Sequence, residues 1–182
     1  MKKQDEETGM NTKIEFSYIR AEAVYQKDHI AAKALYEQII VEIGDKKFDE
    51  MCDMELRIFA LSKLKVFLCS QLHDRDSAMI AIDAFETFLQ RNKNDIVVYE
   101  YYIVALQLTW QYEKSHKILI DLFGNTEMKM FALKWLSSFT YAIDSCQTSS
   151  DCILYKKQLI ELTDAPEEKK RLQKELDEMQ NH

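Results

Sequence analysis

The chain has 182 residues, of which 47% are hydrophobic and 30% are charged, a balance typical of a folded globular chain and not of a disordered one. Its net charge is −7, and basic residues are interspersed with acidic ones, which argues against a nucleic-acid partner. Three glycines and one proline are too few for the tight turns of sandwiches, barrels and doubly wound sheets, so the composition favours long helices.

Cysteine usage and the N-terminal sequence bear on the compartment. The four cysteines, Cys52, Cys69, Cys146 and Cys152, include no CxxC pair, and a core of this size needs no disulfides. The first residues lack the apolar segment of a signal peptide and are too acidic for a transit peptide. Since no stretch approaches the length of about 18 apolar residues that a membrane span needs, the sequence predicts a cytoplasmic or nuclear protein with no membrane partner.

Residues 1–11 are expected to form a disordered polar tail. Gly44 is placed to end a helix, and residues 144–150 are the most loop-like segment. The β-branched run at 95–99 continues without a turn into a longer apolar segment, which favours a helix over a strand. The apolar spacing after the tail predicts nine helices, in order 13–26, 30–43, 48–72, one capped by Asp76 that runs through Leu89, 96–109, 112–123, 126–144, 151–162, and a last one from about Pro166.

Small and aromatic residues recur at a fixed spacing in successive pairs of these helices, and two of the units are 34 residues apart without a gap. The corresponding positions are Ile19, Ala23, Ala32, Tyr36 and Ile39 in the first unit, Leu68, Leu72, Ala81, Phe85 and Phe88 in the second, and Tyr102, Leu106, Ser115, Leu119 and Leu122 in the third.

These spacings resemble the tetratricopeptide repeat over roughly residues 13–143. The resemblance implies an all-α fold, an α-α superhelix of antiparallel helix pairs, and a generic α-solenoid is the alternative. The repeat domain is predicted over residues 12–163, followed by a capping helix over 164–182. The sequence departs from the family in lacking its terminal proline and in carrying about fifteen extra residues between the first two units, interpreted as added turns on the 48–72 helix.

The last helix carries a narrow apolar stripe on an otherwise charged body. Leu172, Leu176 and Met179 form this stripe, which is expected to cover the open end of the helical stack. The alternative is a coiled-coil or partner-docking segment, but the stripe is shorter than the three heptads that such a segment needs.

No group of residues has the spacing of a catalytic, cofactor or metal site. The histidines His29, His73, His116 and His182 are scattered, and the sequence contains no HExxH, GxSxG, P-loop or GxGxxG motif. The sequence therefore predicts that the chain is not an enzyme and has no catalytic residue, no cofactor and no metal ligand.

In a tetratricopeptide array the first helices of successive units line a concave groove. The resemblance implies that apolar side chains with isolated polar anchors line it here, a lining suited to a peptide or helix segment of another protein. The function expected is that of an adaptor or complex subunit, with a homo-oligomer left open. The alternative is a helical regulatory or effector protein that self-associates or binds through its convex face or C-terminal helix. The partner-binding residues predicted for the groove are Lys63, Val66, Glu100, Val104, Gln107, Lys134 and Tyr141.

Overall fold

A computed structural model describes the backbone of residues 2–138 and 147–180 and the side chains of residues 12–138 and 151–180. Within these residues the chain is helical and has no strand, which confirms the predicted all-α class. None of the helices in this part of the chain is long and apolar enough to cross a bilayer. The helices are α1 (Lys2–Tyr25), α2 (His29–Ile43), α3 (Asp53–Cys69), α4 (Arg75–Arg91), α5 (Ile96–Leu108), α6 (Tyr112–Phe123), α7 (Lys129–Leu136), α8 (Gln147–Leu162) and α9 (Pro166–Gln180).

The chain divides into two compact units, Met1–Trp110 with α1 to α5 and Gln111–His182 with α6 to α9. We call them unit 1 and unit 2. The boundary falls inside the third predicted helix pair, between α5 and α6, a division that the repeat pattern does not predict. Helix α1 begins at Lys2, whereas the first helix was predicted from residue 13. The disorder expected for residues 1–11 stays a prediction.

In unit 1 the helices pack around α3. Helix α1 contacts α2 and α3, α2 also contacts α3, and α4 and α5 each contact α3 and one another. Because α3 has neighbours on almost every side, most of its side chains are buried, including Leu56, Ala60, Leu64 and Phe67. The core of unit 1 therefore surrounds a central helix.

The predicted second-helix positions of all three repeats lie in the core, each with at most 7% of its surface exposed. In an amphipathic helix, positions three and four apart share one face, so the small and aromatic residues of each repeat are buried together. These residues are Ala32, Tyr36 and Ile39 in α2, Ala81, Phe85 and Phe88 in α4, and Ser115, Leu119 and Leu122 in α6.

The predicted register is wrong in the first helices of the first two repeats. On α1, Ile19 is 58% exposed and Ala23 is exposed, whereas Ile14 and Ala21 are buried. The core-facing side of α1 is thus rotated relative to the prediction. In the second repeat, Leu72 is 46% exposed and lies beyond the end of α3.

The extra residues between the first two repeats form a loop instead of added helical turns, so the prediction of one helix over 48–72 is wrong. Helix α3 begins only at Asp53, because the Glu55 carboxylate accepts the backbone N–H of Cys52 at 3.1 Å and the ammonium of Lys46 at 2.6 Å. Arg91 of α4 donates to the carbonyls of Met51 at 2.9 Å and Phe48 at 3.0 Å. These bonds hold the loop against α4.

Aspartates at helix N-termini account for several boundaries. The carboxylates of Asp28 and Asp95 accept backbone N–H groups in the first turns of α2 and α5. For α4 the cap is Asp74, which accepts the N–H of Ser77 at 3.1 Å, and not Asp76 as predicted. An aspartate two residues earlier thus sets the start of that helix.

In unit 2, consecutive helices pack together, α6 on α7, α7 on α8 and α8 on α9. Helix α7 ends at Leu136 and α8 begins at Gln147, so residues 147–150 are helical and not the predicted loop. Leu172 and Leu176 of the predicted stripe are buried with Leu133, Leu159 and Ile160. The buried ammonium of Lys156 also binds Glu175 of α9 at 2.8 Å.

Candidate functional site

A buried ion pair joins α1 to α3 in unit 1. The Nζ of Lys65 lies 3.1 Å from Oε1 and 3.2 Å from Oε2 of Glu22, so the ammonium contacts both oxygens of the carboxylate. The Lys65 side chain is 6% exposed, whereas Glu22 is 29% exposed. The cation is therefore enclosed, and its carboxylate partner reaches the surface.

Two tyrosine rings accompany this ammonium. The Nζ of Lys65 is 4.0 Å from the centroid of the Tyr25 ring and 5.6 Å from that of Tyr101. A cation over the face of an aromatic ring is attracted by the electron density there, and the attraction is larger where water is excluded. Since Tyr25 belongs to α1, Lys65 to α3 and Tyr101 to α5, these three helices meet at the Lys65 ammonium.

The Glu22 carboxylate also accepts a tyrosine hydroxyl. Tyr36 of α2 donates to its Oε1 at 2.5 Å, and Tyr18 lies four residues before Glu22 on α1. Burial raises the pKa of the Tyr18 and Tyr36 hydroxyls well above the usual value for tyrosine, and the neighbouring carboxylate raises it further. Both hydroxyls thus stay protonated.

A second ion pair links α3 to α5 in the same region. Arg57 Nε is 3.6 Å from Oδ2 of Asp95, the residue that caps α5 by accepting the N–H of Val98 at 3.0 Å. The pair therefore ties the start of α5 to α3.

Helical spacing brings these side chains to one surface. Tyr18, Glu22 and Tyr25 are four and three residues apart on α1, Arg57, Lys65 and Cys69 are separated by multiples of four on α3, and Val97 and Val104 are four and three residues from Tyr101 on α5. We call this surface the α1–α3–α5 face and define it by Tyr18, Glu22, Tyr25, Arg57, Lys65, Cys69, Val97, Tyr101 and Val104.

The predicted groove residues of α3 do not belong to this face. Lys63 is two positions from Lys65, which is about 200° around a helix, so the two point to nearly opposite sides. The Lys63 ammonium lies 5.6 Å from the ring of Phe59 instead. Val66 is 3% exposed and lies in the core, so its assignment as a partner-binding residue is corrected.

The other predicted groove residues are divided between the two units. Val104 is half-buried and belongs to the α1–α3–α5 face, and the exposed Glu100 and the half-buried Gln107 lie beside it on α5, four and three residues from Val104. Lys134 is exposed on α7 of unit 2. Tyr141 lies outside the described residues.

Sequence reasoning missed Glu22, Lys65 and the tyrosines around them. Lys65 lies within the apolar run of α3. A charged residue in such a run requires a partner of opposite charge when it is buried. The lysine itself was therefore the available signal of a buried ion pair. The partner itself is 43 residues away, on another helix.

The described residues contain no group of three or more His, Cys, Asp or Glu side chains placed to hold a metal ion. What the α1–α3–α5 face offers is aromatic surface, hydroxyl groups and two valines, arranged around charges that are already paired. Comparison with protein-family models, with curated proteins and with solved structures found no match.

Proposed function

We propose that the chain is a protein-binding module whose α1–α3–α5 face receives a helical or extended segment of another protein. The observation that supports this most directly is the meeting of the three first helices at the Lys65 ammonium, which lies beside Tyr25 and Tyr101. Tyrosine and arginine are enriched in protein interfaces, and the face carries three half-buried tyrosines and a half-buried arginine.

The ion pair of Glu22 and Lys65 gives such a face a fixed shape before a partner arrives. Glu22 is held by the hydroxyl of Tyr36, and Tyr25 packs on the ammonium. A side chain that is already held in place loses little conformational entropy on binding, so the affinity of a preorganised surface is higher. Val97, which is 46% exposed, and the half-buried Val104 add apolar contact area beside the rings.

The order of packing in unit 1 supports an array of the tetratricopeptide type as part of the proposal. Helix α3 contacts both α1 and α5, so the first helices of successive pairs are neighbours, and α2 and α4 each pack on α3. In the proposed function the chain acts as an adaptor or complex subunit of the cytoplasm or nucleus, and the bound segment follows the first helices.

Site-specific photocrosslinking in cells that express the chain tests this proposal. A benzophenone amino acid at Val97 reports on the α1–α3–α5 face, and the same group at Val41, 77% exposed on α2, is the matched control. We expect a discrete crosslinked protein from position 97 and none from position 41. Equal crosslinking at both positions, or none at 97, would contradict the proposal.

A pair of matched double variants then tests whether the face carries the affinity. Val97→Glu with Glu100→Lys changes apolar and charged groups at the exposed side of α5, and Val41→Glu with Glu37→Lys makes the same changes on α2. The α5 variant should lose the crosslinked partner in a pull-down, and the α2 variant should keep it. The opposite result would place the interaction on the other side of the unit.

A further inference from the structure

The side of α1 that points away from the core is apolar. Phe16 is 68% exposed, Ile19 is 58% exposed and Ala23 is exposed, and their spacing of three and four residues places them in one stripe. Ile14 and Ala21 on the opposite side are 1% and 0% exposed. Helix α1 is thus apolar on two sides, of which one is covered by α2 and α3.

Charged residues of opposite sign flank this stripe. Lys13 and Arg20 lie seven residues apart along one edge, and Glu15 and Glu22 lie seven apart along the other. Lys13 binds Glu42 of α2 at 3.3 Å, and Glu22 binds Lys65. Glu15 and Arg20 are exposed, one on each edge, and they are five residues apart.

We propose that two copies of the chain associate through this stripe in a short helix contact of about one heptad, which is not an extended coiled coil, with the two α1 helices parallel and related by a two-fold axis. In a parallel helix pair, the flanking residue of one helix faces the residue five positions later on the partner helix. Glu15 of each copy then pairs with Arg20 of the other, and Phe16, Ile19 and Ala23 of both copies are buried between them.

Charge complementarity favours a second copy of the chain as the molecule that covers the stripe, and it favours the parallel orientation. Both members of the ion pair are in the same chain at the required separation, so a second copy supplies the complement of each. An antiparallel arrangement sets each edge of the stripe against the same edge of the other copy, which brings like charges together. The stripe borders the proposed partner site at Glu22, while its centre points elsewhere, since Phe16 and Tyr18 are about 200° apart around α1.

Charge-reversal variants measured by sedimentation velocity test the pairing. The probes are the full-length parent, Glu15→Arg, Arg20→Glu, an equimolar mixture of these two, and the double variant, each at concentrations up to about 200 µM, where a small interface is populated. Both positions are exposed, and the far-ultraviolet circular dichroism spectrum verifies that each variant is folded. Phe16→Asp is the variant that removes the apolar contact.

The parent should dimerise, and each single reversal should weaken the dimer about tenfold or more, because it turns two symmetry-related attractions into repulsions. The mixture and the double variant should each restore it, since opposite charges face each other again, and Phe16→Asp should abolish it. A parent that stays monomeric over the whole range would overturn the proposal. So would single variants that dimerise like the parent, or a mixture that fails to recover.

Discussion

Glu22 and Lys65 are separated by 43 residues in the sequence, and their charged groups are 3.1 Å apart in the fold. The two partners are not equivalent, because the ammonium is enclosed and the carboxylate is partly exposed. Removing one partner of a buried ion pair leaves an uncompensated charge, whereas replacing both with groups of similar shape is often neutral.

A double-mutant cycle tests this asymmetry. Glu22→Gln should lower the free energy of unfolding by about 3 kcal/mol, because it leaves the enclosed Lys65 ammonium without a counter-charge. Lys65→Met should cost less, because Glu22 reaches solvent, and the double variant should unfold close to the parent. Urea denaturation followed by circular dichroism measures the free energy of unfolding of the parent, the two single variants and the double variant. A double variant whose loss of stability equals the sum of the two single losses would show that the pair is not coupled.

Alkaline pH should destabilise the fold through Tyr36. Burial raises the pKa of its hydroxyl above the usual value near 10, and its hydrogen bond to Glu22 adds to the shift. Above pH 10 the unfolded state loses this proton while the folded state keeps it, so the contribution of Tyr36 to stability is fully present below that pH and is lost as the pH rises. Denaturant midpoints should therefore decrease from pH 9 to about pH 11.

Tyr36→Phe separates this contribution from general alkaline effects. The variant loses the hydrogen bond to Glu22 and should be destabilised by about 1–2 kcal/mol at neutral pH. It should also lose less stability than the parent above pH 10, because the shifted group has been removed. Parallel pH profiles for the two proteins would contradict the assignment.

Ser115 occupies a repeat position that is alanine in the two earlier units, and its buried hydroxyl has no hydrogen-bond partner. Ser115→Ala removes an unsatisfied polar group, so it should raise the free energy of unfolding by about 1 kcal/mol. Ser137→Ala is the matched control, because Ser137 is equally buried but donates to the carbonyl of Lys134 at 3.1 Å. Ser137→Ala should leave the free energy of unfolding unchanged or lower it, whereas Ser115→Ala should raise it.

Arg91 should govern the exchange of amide protons in the 44–52 loop. Arg91→Lys loses the two donors that reach the carbonyls of Phe48 and Met51, and should cost about 1–2 kcal/mol. Hydrogen exchange at residues 47–52 should become faster. Arg75→Lys, which removes a single bond to the Thr109 carbonyl, should leave this loop unchanged. Equal exchange in both variants would mean that Arg91 does not hold the loop.

The last helix should contribute to the stability of unit 2 through its two buried leucines. Leu172→Ala and Leu176→Ala should each cost about 2–4 kcal/mol, because each leaves a cavity beside Leu159 and Ile160. Lys170→Ala and Lys174→Ala on the exposed side are matched controls and should be nearly silent. Leucine variants that melt like the controls would indicate a free helix available to a partner.

The buried side of the second helices could be predicted from the sequence because their recurring small and aromatic residues are three and four positions apart, although other apolar residues of these helices, such as Ile30 and Val41, are exposed. On α4, Ala81, Phe85 and Phe88 are buried as this spacing predicts, whereas Met79 and Ile80 are exposed. The first helices could not be oriented in this way. Helix α3 is apolar on nearly all sides, since it is the centre of unit 1, and its periodicity does not distinguish the side that carries Lys65 from the side that carries Lys63.

Long-range polar contacts account for most of what sequence reasoning missed. The start of α3 depends on Lys46 and Glu55, and the loop before it depends on Arg91, which is about forty residues further along the chain. The α1–α3–α5 face likewise depends on a glutamate, a lysine and tyrosines from different helices. Spacing within one helix contains no information on such pairings.

The central position of α3 determines how unit 1 unfolds. In a long repeat array each repeat contacts only its neighbours, so distant repeats can open separately. Because α1, α2, α4 and α5 all contact α3, every helix of unit 1 loses part of its packing once α3 separates. Unit 1 should therefore melt in one cooperative transition, and a single destabilising change in α3 should lower the protection of all five helices together.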